Sequence, residues 1–216
     1  MSVKGDARSQ APSSGAATFQ RLLSTCDRYA GPGFAGFVLL HFACQAFRAR
    51  SGGALPQAGF EAQPAVVAGS LLVIWLPFVV FAWRALRRGP SARAESEKAR
   101  ALAILEQVTL GLVLLFLTLH LSQVAWPLLS GALAPSDVRP ELIAQLSSTQ
   151  HGAPLLAAAY LCGVGAAAFL GARQALLALR DGRPRVWARA VVALGVLAYL
   201  LGSYAVIRCA SGVILP

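Results

Sequence analysis

Five unbroken apolar runs, each long enough to cross a bilayer, constrain this chain more than any other feature. They are Ala30–Phe47, Ala65–Trp83, Leu102–Leu129, Ala153–Leu179 and Val186–Ile207. A helix rises about 1.5 Å per residue, so it needs about 20 apolar residues to cross a hydrocarbon core of about 30 Å. None of the runs alternates polar and apolar residues as a barrel strand does. Each is also too long and too apolar for the surface helix of a soluble domain. The expected fold is therefore all-α, an integral membrane bundle of five transmembrane helices. Composition agrees: 56% of residues are hydrophobic and only 13% are charged, about half the charge of an ordinary soluble domain. Such a chain is not a disordered polymer. It is also a poor nucleic-acid binder despite its +10 charge, because a basic footprint needs a water-facing domain to carry it.

The flanking residues suggest a topology. Residues 1–18 are small and polar and read as a disordered cytoplasmic tail, with no apolar core of a cleaved signal peptide. Residues 19–29 read as an interfacial lead-in, and 19–216 as one membrane domain. Of the 19 basic residues, fifteen fall in the N-terminal segment, in the second-to-third connection, and at the fourth span's end and the connection that follows it, through Arg189. The other side holds Arg48, Arg50, Arg139 and Arg208. The positive-inside rule then places the N-terminus in the cytoplasm and the C-terminus in the periplasm, across the inner membrane. Trp83 and Trp126 read as interfacial anchors, and Pro77 as a kink in the second span. The arginine-rich connection from Trp83 to Arg100 also offers a docking surface for a soluble partner.

The four cysteines, Cys26, Cys44, Cys162 and Cys209, show no C-x-x-C spacing. A zinc site, a dithiol motif and covalent haem attachment are thus unsupported, and the cysteines read as small apolar residues. Histidine carries more information. His41 and His120 both lie inside apolar spans, where an ionisable side chain is costly and marks a site. His41 follows Arg28 by 13 residues and His120 follows Glu106 by 14, so the two imidazoles should sit at similar depth. Their surroundings echo each other, as Phe37-x-x-x-His41 and Phe116-x-x-x-His120. Small residues precede both, at Gly31, Gly33, Ala35, Gly36 and Gly111, and admit a close neighbour or a flat ring. Two depth-matched histidines on two helices suit axial ligation of haem iron, and an apolar bundle core suits the porphyrin. The only methionine is Met1, so His/Met ligation is not available. The alternative is that each histidine is hydrogen-bonded across the bundle. Arg48 and Arg50, about two turns beyond His41, are candidate partners for haem propionates.

At this point the chain resembles the five-span cytochrome b membrane anchors of succinate dehydrogenase and fumarate reductase. The family's first span carries F-x-x-x-H followed four residues later by Asn; here it reads Phe37, His41 and Gln45. Its third span carries T-G-x-x-x-x-x-F-x-x-x-H; here it reads Thr109, Leu110, Gly111, then Phe116 and His120, with Leu110 in the Gly place. The resemblance implies a non-catalytic subunit that docks a flavoprotein and an iron–sulfur subunit and passes electrons to or from quinone. It implies haem b ligated by His41 and His120. It also offers Gln45, Glu61 and His151 as quinone-site candidates.

Family members often bind a second haem from the second and fourth spans. Here those ligand positions hold Phe81 and Leu170, which cannot ligate iron, so a single haem b is expected. Two other readings stay open. One is a different small quinol-linked cytochrome b. The other is a haem-free transporter or assembly factor, although transporters more often show internal repeats.

Overall fold

The computed structural model describes residues 14–50, 63–88, 96–149, 154–179 and 185–211. These are helical almost throughout, with no strand among them. Helix α1 runs from Ser14 to Arg50 without interruption, so the expected lead-in and first span form one rod. The second span is built from α2 (Pro64–Ser70), a π-helical turn (Leu71–Trp75) and α3 (Leu76–Arg88). The third is α4 (Glu97–His120), a second π-helical turn (Leu121–Ala125) and α5 (Trp126–Leu129). A short helix, α6 (Val138–Ser147), follows, and then the fourth and fifth spans, α7 (Leu155–Ala178) and α8 (Arg185–Ala210).

Five helices are long and apolar enough to cross a membrane: Tyr29–Arg50, Pro64–Arg87, Glu97–Leu129, Leu155–Ala178 and Arg185–Ala210. Their surfaces say the same. Val73 is 75% exposed, Leu115 58% and Leu200 57%. An apolar belt of this extent has no place in water and belongs against lipid. These are the features of a multi-pass membrane protein.

The two π-turns have a common cause. Each ends two residues before a proline, at Pro77 and Pro127. A proline inside a helix lacks an N–H and presses on the carbonyl four residues back. Widening one turn relieves that clash without breaking the rod. The kink expected at Pro77 thus takes the form of a π-turn. Other ends follow local chemistry. The Ser96 hydroxyl caps α4 by accepting from the Ala99 N–H at 3.2 Å. Gly131, at φ 75°, turns the chain away after α5, a conformation that glycine adopts without strain.

Helix α7 is the central post. Half of its apolar stretch is buried, against 11–33% in the other spans. It packs against α1, α4 and α8, and its alanines and glycines let those helices come close. A Cβ on Gly171 would lie 3.3 Å from the Ala35 Cα, so α1 and α7 nearly touch there. The connections alternate, so one end of the bundle carries α6 with the C-terminal ends of α1 and α8, and the opposite end carries Arg88, Glu97, Ala178 and Arg185. Toward that opposite end the interior is solid. Phe34 and Phe78 stack at 4.0 Å, and Phe34, Phe78, Leu110 and Leu170 are fully buried. Polar groups cluster there: Gln174 donates to Glu106 at 3.2 Å, and Arg173 forms an ion pair with Glu106 at 3.6 Å.

Candidate functional site

Toward the α6 end the packing opens into a cavity of about 800 Å³, within the usual range of small-molecule and cofactor pockets. His41 from α1 and His120 from α4 both line it. Each is backed by the phenylalanine one turn earlier on its own helix. Phe37 stacks on His41 at 5.4 Å with ring planes 13° apart, and Phe116 stacks on His120 at 5.9 Å and 23°. Each phenylalanine is in turn met edge-on by a larger aromatic ring, Trp75 on Phe37 at 5.0 Å and Tyr160 on Phe116 at 5.2 Å. The echo between the two sequence segments is therefore an echo in structure.

The imidazole centroids of His41 and His120 are 6.2 Å apart, with ring planes at 74°. A transition-metal ion holds a histidine nitrogen at about 2 Å, and a ring nitrogen lies about 1.1 Å from its centroid. Two imidazoles facing each other across one metal ion therefore have centroids about 6.2 Å apart, the separation found here. The described residues supply only this pair. Among the described residues no group of three or more His, Cys, Asp or Glu side chains is placed to hold a metal ion. Any metal bound between these histidines must bring its remaining ligands with it.

Hydrogen bonding distinguishes the two histidines. The Tyr160 hydroxyl donates to Gln123 Oε1 at 2.9 Å and lies 3.3 Å from His120 Nδ1. With Gln123 turned so that Oε1 meets the tyrosine, that single proton goes to Gln123, and His120 Nδ1–H is the donor to the tyrosine oxygen. That leaves His120 Nε2 with a free lone pair. No hydrogen bond joins His41 to any described residue.

The other predicted site residues divide. Gln45 and Arg48 line the same cavity, one and two turns beyond His41. Arg50 does not: it is exposed and outside the lining. The reason is helical phase. Arg48 is seven residues from His41 and returns to its face, whereas Arg50, nine residues away, lies about 180° round the helix. Glu61 and His151 lie outside the described residues. Phe81 packs at the edge of the apolar core, and Leu170 is fully buried within it.

Three residues that sequence reasoning passed over also belong to the site. Arg139, on α6, lines the cavity beside Leu142 and Leu146. Nothing in the sequence distinguished it from any other loop arginine. Tyr160 lines the cavity, and Gln123 holds Tyr160 from the π-turn. Their only sequence signal was polar capacity within an apolar run, which is costly unless partnered. Cys44 and Cys209 also line the wall.

Fold and site together define a five-span helical membrane protein with a histidine-paired apolar cavity toward one end. Comparison with protein-family models, curated proteins and solved structures finds no match for the chain.

Proposed function

We propose that the protein is a haem b-binding membrane anchor of a succinate dehydrogenase or fumarate reductase complex in the cytoplasmic membrane. In this reading it docks a flavoprotein and an iron–sulfur subunit and passes electrons to or from quinone. The observation that carries the haem reading is the 6.2 Å separation of the two imidazoles across an apolar cavity. With no third ligand among the described residues, a macrocycle that brings its own equatorial nitrogens is the group whose needs this pair meets. The family part of the reading rests on the quoted motifs around His41 and His120 and on the order of the spans.

His41 and His120 are the residues that would hold the iron. Haem b, when bound, supplies a one-electron iron couple. The chain's own contribution is to hold both imidazoles rigid through Phe37 and Phe116 and to keep water from the site with apolar walls. It also places Arg48 and Arg139 where the ligand's acid groups can be met. One haem is favoured over two, since the opposite half is filled by the Phe34–Phe78 stack and Leu170. The basic connection between the second and third spans fits a cytoplasmic face that receives the soluble subunits.

The test is expression with affinity purification in mild detergent, followed by a pyridine haemochrome spectrum and identification of co-purifying chains. A b-type spectrum at about one haem per polypeptide is expected, lost in His41→Ala and His120→Ala, with a flavoprotein and an iron–sulfur protein co-purifying. A purified chain without a Soret band overturns the haem assignment. Haem without those two partners leaves the chain a different quinol-linked cytochrome b.

A further inference from the structure

The two histidines have matching aromatic backing, yet among the described residues only His120 has a hydrogen-bond partner. That asymmetry has an identifiable origin. Tyr160 comes from α7, the most buried helix, and is itself 4% exposed, so its hydroxyl has no water to turn to. Gln123 sits in the π-turn that Pro127 imposes just after His120. The result is a directed chain in which His120 Nδ1–H donates to Tyr160 Oη at 3.3 Å, and Tyr160 O–H donates to Gln123 Oε1 at 2.9 Å. Reversing it needs the Gln123 amide to flip and present Nε2–H to the tyrosine oxygen.

We infer that Tyr160 and Gln123 are positioning residues that lock His120 with its Nδ1 protonated and its Nε2 lone pair presented to the cavity. The inference deepens the haem reading and rests on it for its redox consequence. A ligating imidazole that donates its other N–H is held in one tautomer and made more basic. His120 is then the stronger electron donor of the pair, and His41, without such a partner among the described residues, the weaker. The chain stabilises the oxidised iron through one side of the site, and breaking the chain at Tyr160 raises the reduction potential. Because Gln123 acts only through Tyr160, its removal matters only while Tyr160 is present.

The experiment uses the full-length protein in detergent, with Tyr160→Phe, Gln123→Leu, the double variant, and Tyr199→Phe as a control on the exposed face of α8. Reduction potential and haem dissociation are read for each. The expected result is a raised potential and about 10- to 100-fold weaker haem retention in Tyr160→Phe. A smaller shift of the same sign is expected in Gln123→Leu, the double variant should match Tyr160→Phe, and Tyr199→Phe should not move. Haem that binds with an unchanged potential in Tyr160→Phe overturns the relay and leaves the haem reading intact. So does a double variant whose shifts simply add. The tautomer has its own readout in the haem-free chain, by 15N-histidine spectroscopy. His120 should appear Nδ1-protonated, and Tyr160→Phe should move it toward the Nε2-protonated form. An Nε2-protonated His120 in the wild type overturns the relay and leaves the haem reading to its own test, whereas a wild type that binds no haem but keeps an Nδ1-protonated His120 overturns only the haem reading.

Discussion

Gly163 on α7 faces Phe116 on α4, and a single methyl group there should disturb the site without touching either histidine. A Cβ built on Gly163 would lie 2.3 Å from the Phe116 Cγ and only 2.7 Å from the Phe116 Cβ. Carbon atoms in contact prefer about 3.5–4.0 Å, so about 1 Å must be found. Rotating the phenylalanine ring does not provide it, because the Phe116 Cβ is fixed to the α4 backbone. Helices α4 and α7 must therefore separate. The Tyr160–His120 hydrogen bond spans those same two helices and already stands at 3.3 Å. A further 1 Å takes it beyond hydrogen-bonding range. Overpacking of this kind costs about 1–3 kcal/mol, and loss of a polar support to a metal ligand weakens metal binding about 10- to 100-fold. Gly163→Ala should lower the thermal midpoint of the detergent-solubilised protein and speed haem loss by at least tenfold. Thermal unfolding and haem transfer to an acceptor protein measure the two effects. Wild-type values for both would refute the close packing of α4 on α7 and the route from Gly163 through Phe116 to His120.

Other glycines give the opposite expectation. Gly33, Gly36 and Gly111 have nothing within 4 Å of a built Cβ, so alanine at each should leave haem binding unchanged and the thermal midpoint level or slightly raised, by up to about 1 kcal/mol per site from helix propensity. Arg139→Gln should weaken haem retention about fivefold, corresponding to about 1 kcal/mol for a half-exposed charge-assisted contact; Arg50→Gln should not, and equal effects in a haem-transfer assay would refute the assignment. Phe81→His combined with Leu170→His should not recruit a second haem, because the space between the helices there is already filled. A haem-to-polypeptide ratio rising toward two would show that the filling yields.

The spans were legible because the criterion for them is local. About twenty apolar residues in a row can do little else in a bilayer, and the helices follow the sequence-defined runs to within a few residues, apart from the longer rod at the start of α1 and the early start of α4. The histidine pair was legible for the same reason, since depth is counted along each helix. Even the choice between Arg48 and Arg50 was contained in the 3.6-residue period. Helix α6 was harder to find. Its ten residues are too few and too mixed to stand out, and it is held by packing on α7 and α8.

What the sequence alone determined was the number of crossings, their places, the two imidazoles and the absence of ligands at Phe81 and Leu170. Which side of each helix faces inward was decided only by the tertiary structure. A soluble helix marks its inner face by polarity, but a helix that is apolar all round carries no such mark. Steric fit sets the rotation instead, through contacts such as Gly171 on Ala35. That rotation brings Tyr160 to His120, 40 positions away along the chain, sets Gln123 behind it, and brings Arg139 to the cavity wall.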